Sequence, residues 1–444
     1  MLATKRIEAA ASDTAPSAMP LREAGEQIAR ARARERVMRE RLQQLAQDDY
    51  RQGKRYQRQY LASFDVMLAA LHKANQKKRR RIPDSELVAL AVELNAWAGT
   101  DEVVRMWPKA KAGGYRAINS FGIRNAALQV LAYRAANPFI NPHPSQYAAA
   151  GMGGVEVACR RILKLLRQGY THVLVADVES NFNTMRREGV IRMIPLPTTL
   201  IEAVVLADGL NFTTNQRRCN SQAREGAIQR HATAPKPTIP ATGLSQEDVP
   251  LDTLTVCARQ RGSQRSSVDE ALKKGRQGLP QGSACSSLFS AHLHAPIVRR
   301  LSELAPVVHF DDNYFIFAKS REELVPIAQT LRSEFNRHLA GPLLFSKCII
   351  KAARYGFIGL GYQFKARGKW AWLRPSHDKL NDCNLKFLGM FDDVFCGNMT
   401  RQDVKRYING WCAGHRLWPH WRLWRALLLG RLDQHFPAPT EVNG

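Results

Sequence analysis

The chain has 444 residues, 45% of them hydrophobic, with 65 Lys and Arg against 39 Asp and Glu and a formal net charge of +26. That apolar content excludes wholesale disorder, and the basic excess selects a polyanion as partner, nucleic acid before an anionic membrane surface. No apolar run reaches spanning length, no apolar centre of a secretory signal opens the chain, and the scattered cysteines form no C-x-x-C pair, so the expectation is a cytoplasmic protein of two or three domains with reduced thiols and no membrane partner.

Residues 1 to about 20, rich in Ala, Ser, Thr and Pro, read as a loose tail. From Leu21 to about His72 there is no Pro, and the composition predicts long helix with possible breaks near Gly53. The apolar stripe there (Ile28, Val37/Met38, Leu42, Leu45) is thin, which predicts a helix largely solvated or laid on a partner. KKRRR at 77–81 precedes Pro83, and 84–106 reads as helix again. KAKAGGYRAINSF predicts a hairpin turning at Gly113-Gly114. Helices are expected at 121–136, 153–168 and 188–210, with THVLVADV a buried strand between the last two. Residues 211–276 are polar and read in part as an insertion or mobile loop. A helix (SACSSLFSAHLHAPIVRRL), a hairpin (VVHFDDNYFIF), an amphipathic helix, strands near 345–364 and 369–374, and a Trp-rich helical tail from 377 complete the chain.

Three separated stretches carry chemistry. The strand THVLVADV ends at Asp177, and Phe182 stands five residues on. Gly278-Leu-Pro-Gln281-Gly282 enters a helix. In VVHFDDNYFIF, alternation puts Val308 and Phe310 on one strand face and His309 on the other, leaving Asp311 and Asp312 in a tight turn. Carboxylates avoid apolar surroundings unless their charge is compensated. A strand-end carboxylate converging with two at a hairpin tip can bind two Mg²⁺ ions, which take oxygen ligands and bridge phosphates.

Together these stretches resemble the palm of reverse transcriptases: ADVESNFNTM their first catalytic motif, GLPQGSACSSLFS their Gln-Gly motif and HFDDN their paired-aspartate motif. KAKAGGYR is similar to the fingers hairpin, FSKC to the lysine-bearing motif and FIGLGYQF to the primer grip. PSQYAAAGMGGVEVACRRI resembles the segment before the first strand in bacterial and group II intron-like enzymes, and YINGWCAGHRLW resembles their thumb. The resemblance implies an α+β right-hand polymerase: a basic helical extension (1–83), fingers (84–170), an antiparallel palm packed on helices (171–374, with the insertion at 211–276) and a helical thumb (375–444). It implies RNA-directed DNA synthesis with two Mg²⁺. Asp177, Asp311, Asp312 and the Val178 carbonyl would hold metal, and Lys347 would be the acid for pyrophosphate departure. Lys109, with Lys111 a rival, and Arg116 would hold the triphosphate. Phe182 would be the steric gate favouring dNTPs, Gln281 and Gly282 would lie against nucleotide and template, and Arg124, Gly359, Tyr362, Trp411 and Arg416 would touch nucleic acid.

Two residues depart from that pattern. His309 stands where Tyr or Phe is usual, and Phe310 is bulkier than the usual occupant. With no further domain after the thumb, the resemblance points to stand-alone bacterial enzymes, many acting in phage defence with a noncoding RNA. Template-independent or protein-primed synthesis by the same palm, and an RNA-binding scaffold with an inactive palm, are the rival expectations. Partners would be an RNA template or noncoding RNA, the DNA product and dNTPs, with a homo-oligomer or partner protein left open. Of the four Trp in the tail, stacking on bases and packing are both open, with packing ahead. A second Phe-Asp-Asp, at 391–393, lies on a helical stripe of Leu385, Leu388, Phe391 and Phe395 and is expected at a surface.

Overall fold

The computed structural model describes residues 21–111, 114–214, 254–257 and 267–437. The expectations for residues 1–20, for Gly113 as a turn residue and for most of 211–276 fall outside these.

Three helices, α1 (Leu21–Asp48), α2 (Tyr50–Ala62) and α3 (Phe64–Gln76), replace the long helix, and the first break falls at Asp49 rather than near Gly53. Asp49 is extended (φ −144°), and its carboxylate accepts the amides of Arg51 and Gln52 at 2.9 and 3.1 Å, satisfying donors that open α2. Gly53 sits inside α2 because α1 crosses there: a Cβ would come within 3.0 Å of the Ala46 backbone. Much of α1 is exposed, as its thin stripe implies, and the stripe itself lies on the rest of the chain. Ala24, Ile28, Ala31 and Leu42 are buried in one core with α4 (Asp84–Glu93), α5 (Ile123–Ala136) and the central sheet. Glu35 is buried with them, accepting the Tyr60 hydroxyl at 2.8 Å and lying 3.4 Å from the Arg134 guanidinium. The packing therefore runs through the boundary expected at residue 83.

The hairpin read from KAKAGGYRAINSF forms from β1 (Val104–Lys111) and β2 (Gly114–Ser120), with Lys109 opposite Arg116 and Lys111 opposite Gly114. β4 (Phe212–Thr214) adds to β1 in parallel. Five further strands make an antiparallel sheet: β3 (His172–Val178), β5 (Leu254–Cys257), β6 (Val307–Phe310), β7 (Asn313–Ala318) and β8 (Phe345–Ala352), ordered β5-β8-β3-β7-β6. The polar stretch 211–276 thus contributes a strand to each of these two sheets, and its helix Val268–Lys274 leads to Gly275, whose Cα abuts Met106 and Ala117 of the hairpin.

From Val173 to Ala176 β3 is apolar because both its faces are covered. Leu174 and Ala176 join the core containing the Ser286–Ser302 and Arg321–Arg337 helices. Val173 and Val175 join a second core with α6 (Gly154–Arg167) and a three-stranded sheet of β9 (Phe357–Gly359), β10 (Tyr362–Arg367) and β11 (Trp370–Pro375). The C-terminal helices His377–Phe395, Arg401–Ala413 and Trp421–His435 have their own core, around Phe387, Val404, Ile408, Leu428 and Leu432. Trp411, Trp421 and Trp424 pack onto it, the packing alternative of the two. The stripe of the first of these helices is Cys383, Phe387, Met390, Phe391 and Val394. Leu385, Leu388 and Phe395, expected on it, are exposed, Phe395 to 86%. No helix among the described residues is long and apolar enough to cross a membrane.

Candidate active site

The centre of the five-stranded sheet delivers the first carboxylate. Asp177 is the penultimate residue of β3, opposite Asn313 on β7 and Lys347 on β8. Phe310 pairs with Asn313, so Asp311 and Asp312 are the two-residue turn between β6 and β7. Asp311 has φ 52°, the left-handed backbone that the favoured hairpin turns require and that Asp tolerates. The Val178 amide donates to the Asp312 carbonyl at 2.9 Å, which fixes the hairpin tip beside the end of β3. The ladder to β8 shifts register between Asp177 and Val178, and the Glu179 amide then donates to the Leu344 carbonyl at 2.7 Å.

Asp312 feels both of the other carboxylates. Asp311 and Asp312 are half-buried. Burial raises the Asp311 carboxyl above its usual range. Asp312 is pushed up to about 6, by burial first and then by the Asp177 charge, with Asp311 adding a smaller push. The Asn313 amide, 2.6 Å from Asp312 Oδ1, opposes the rise. Like charges gathered in a partly desolvated site favour protonation or a cation. Asp311 Oδ1 is buried without a hydrogen-bond partner among the described residues. Lys347 is half-buried beside Asp177; burial and Lys351 lower its ammonium pKa against the pull of that carboxylate.

The donors, all oxygen, fit Mg²⁺ rather than zinc. Among the described residues no three His, Cys, Asp or Glu side chains form a ready-made metal cage. Ser346 donates its hydroxyl to Asp177 Oδ2, and Asn313 occupies Asp312 Oδ1. Such a set suits an ion that arrives with phosphate oxygens and takes only one or two carboxylates from the protein.

Backbone contacts join the Gln281-Gly282 loop to the strand-end segment and to the hairpin. The Leu279 amide donates to the Phe182 carbonyl at 2.7 Å, and the Asn119 amide of β2 donates to the Gln281 carbonyl at 3.2 Å. Gly278 (φ 61°) and Gly282 (φ 100°) stand where a Cβ would strike the Phe182 and Asn119 carbonyls respectively. Phe182 is half-buried against the main core. Lys109 and Arg116, cross-strand partners, are both exposed, while Met106, Pro108, Ala117 and Asn119 are buried.

Beneath the tip lies a polar cluster. His294 is fully buried; its Nδ1 lies 2.6 Å from the Tyr314 hydroxyl and its Nε2 2.8 Å from Asn181 Oδ1, while Asn181 Nδ2 donates to Ser290 Oγ at 2.8 Å. His309, 1% exposed, lies against the Tyr314 ring at 4.4 Å with the planes tilted by 60°, and burial pushes its imidazole down to about 3 against the pull of the Asp311 backbone. Phe310 joins Val308 in the opposite core, so the alternation read from the sequence is the one observed. At the position where the resembled pattern carries Tyr or Phe, this chain places a neutral imidazole facing inward.

Several expected nucleic-acid contacts are placed elsewhere. Tyr362 is 3% exposed, its hydroxyl donating to the Gly414 carbonyl at 3.1 Å and its ring under the Lys379 ammonium, so it offers no face to a base. Gly359 is buried against the Phe315 ring, where a Cβ would collide. Arg124 is held by Glu93 at 2.9 Å and faces Asp101 at 3.7 Å. Trp411 stacks on His415 at 3.9 Å within the C-terminal core, and Arg416 is exposed. Sequence reasoning missed Ser346 and Asn313, which hold the carboxylates; their position beside Lys347 and Asp312 was the available signal. It also missed the Asn181–His294–Tyr314 cluster, whose members are far apart in the chain.

No family profile matches this chain, and no curated protein does. Among solved structures it is similar to apo telomerase from Candida tropicalis, truncated from the C-terminal domain, with 12% identity and a TM-score of 0.32 over 63% of this chain. The match spans 56% of the telomerase chain. A likeness of that size decides neither fold nor activity.

Proposed function

We propose that the chain is a polymerase of the reverse-transcriptase kind, adding dNTPs to a 3′-hydroxyl on an RNA template. The observation that carries this reading is the meeting of Asp177 with the Asp311–Asp312 turn, where burial and the Asp177 charge push Asp312 up to about 6. These carboxylates and the Val178 carbonyl would hold two Mg²⁺ ions, which when bound neutralise charge on the attacking and leaving oxygens. Ser346 and Asn313 keep Asp177 and Asp312 in fixed rotamers, so little reorganisation is left for the reaction. Lys109 and Arg116 offer paired positive charge to a triphosphate, with Lys111 next along the strand. Phe182 crowds the sugar, and the Gln281-Gly282 loop, tied to both Phe182 and Asn119 through its backbone, meets the nascent base pair. Lys347, its pKa lowered by burial, gives its proton to departing pyrophosphate.

Primer extension on RNA with purified protein, dNTPs and Mg²⁺ tests the reading. DNA product from wild type and none from Asp311→Ala supports it. No product from wild type on any template, with or without co-purified RNA, or full synthesis by Asp311→Ala, overturns it.

A further inference from the structure

The sheet of β9, β10 and β11 has two unlike faces. Register and alternation place Phe357, Tyr362, Phe364 and Leu373 inward, where all are buried. The other face pairs Gln363 with Arg374 and with Ile358, Lys365 with Trp372, and Arg367 with Trp370. It is open: Trp370 is 79% and Trp372 41% exposed, and Lys365, Arg367 and Arg374 are exposed beside them. Two tryptophans would ordinarily be hidden, since large exposed apolar surface marks an interaction site. Their surroundings say what kind. The residues between Phe335 and His377 include no Asp or Glu, and Lys369 in the β10–β11 turn adds another positive charge. Arg374 donates to Gln363 at 2.7 Å, which orients its guanidinium on this face without neutralising it.

We infer that this face is a platform for single-stranded nucleic acid, stacking bases on Trp370 and Trp372 while Lys365, Arg367, Lys369 and Arg374 hold the phosphates. Stacking on exposed aromatics beside a basic track is how sequence-tolerant single-strand binders work, because every base has a π-face. Charge decides against a protein ligand of ordinary composition: a face with four cations and no Asp or Glu on its own strands attracts a polyanion. The platform lies on the far side of β9 and β10 from the Phe315 ring against which Gly359 packs, so it is a surface apart from the Asp177–Asp311–Asp312 site.

The test is fluorescence anisotropy of a labelled oligouridylate or oligothymidylate on the whole chain in EDTA, so that metal-dependent synthesis plays no part and failure of the polymerase reading leaves the result interpretable. The double variant Trp370→Ala, Trp372→Ala is expected to bind about tenfold or more weakly, and Trp370→Tyr with Trp372→Tyr to recover most of the affinity. Lys365→Gln and Arg374→Gln should each lower the slope of log affinity against log salt by about 0.7. Unchanged affinity of the double alanine variant overturns the proposal, as does an equal loss on duplex and single strand. So does a face whose substitution leaves nucleic-acid binding intact and abolishes association with another protein or a second copy of this chain.

Discussion

The chain contains Phe-Asp-Asp twice, and the two copies have opposite fates. At 391–393 the motif is helical: Phe391 packs into the C-terminal core, and both carboxylates are exposed to water. At 310–312 it spans a hairpin: Phe310 packs into the second core, and both carboxylates are half-buried within reach of a third, Asp177. The same three residues give a surface in one setting and a strained, charged site in the other. Backbone geometry makes the difference. A helix turns Asp392 and Asp393 away from its apolar stripe, whereas a two-residue turn fixes Asp311 and Asp312 at the end of a buried sheet.

The sharpest way to break this contrast is to remove carboxylates from each copy. Asp311→Ala or Asp312→Ala should cut primer extension about a thousandfold, the scale of losing a preorganised charge contact in a catalytic site; near-normal rates would erase the distinction. Thermal melts probe the same contrast without turnover. Mg²⁺ at about a hundred times its Kd should stabilise wild type by about 2.7 kcal/mol, and Asp177→Asn or Asp312→Asn should remove that gain. Persistence of the full gain in both variants would put the ion elsewhere. Phe182→Ala should reduce the preference for dNTPs over NTPs by about tenfold, a ratio of kcat/KM values unaffected by any loss of folded protein; an unaltered ratio removes Phe182 from sugar selection. The smallest effect is expected at the other copy. Asp392→Ala with Asp393→Ala should leave extension within about twofold and stability within about 0.5 kcal/mol, and a large loss in either would show that helix to be more than a surface.

What the sequence disclosed followed from short-range periodicity. β3 and the β6–β7 hairpin were legible because an uninterrupted apolar run and strict alternation survive any tertiary context, and so were the opposite faces of His309 and Phe310. The β1–β2 hairpin was legible from its glycines. Where several local answers were equally good, the sequence could not choose. In the His377–Phe395 helix, Leu385/Leu388/Phe395 and Cys383/Phe387/Met390 are both acceptable helical stripes, and only the facing helices select the second. Gly53 looked like a helix breaker, yet close approach of α1 keeps it inside a helix, while Asp49 does the breaking through its cap. β5 joins β8 across about 90 residues of chain, a pairing no local pattern encodes. At the candidate site, residue types announced Asp177, Asp311 and Asp312, but the burial of Tyr362 and the pairing of Arg124 arise from contacts distant in the chain.

The core that joins α1, α3 and α5 to β3 and β7 bears on how the molecule comes apart. Ile28, Leu42, Leu61, Leu68 and Leu71 share that core with Leu174, Ala176 and Ile316, so the first three helices and the aspartate-bearing strands belong to one cooperative unit. Their melting should follow a single transition, without a stable remnant that lacks α1–α3. A version trimmed to begin after KKRRR would strip the lid from this interior and expose the apolar flank of α5. Modularity, so natural to infer from a basic and charged N-terminal segment, ends where those leucines meet the sheet.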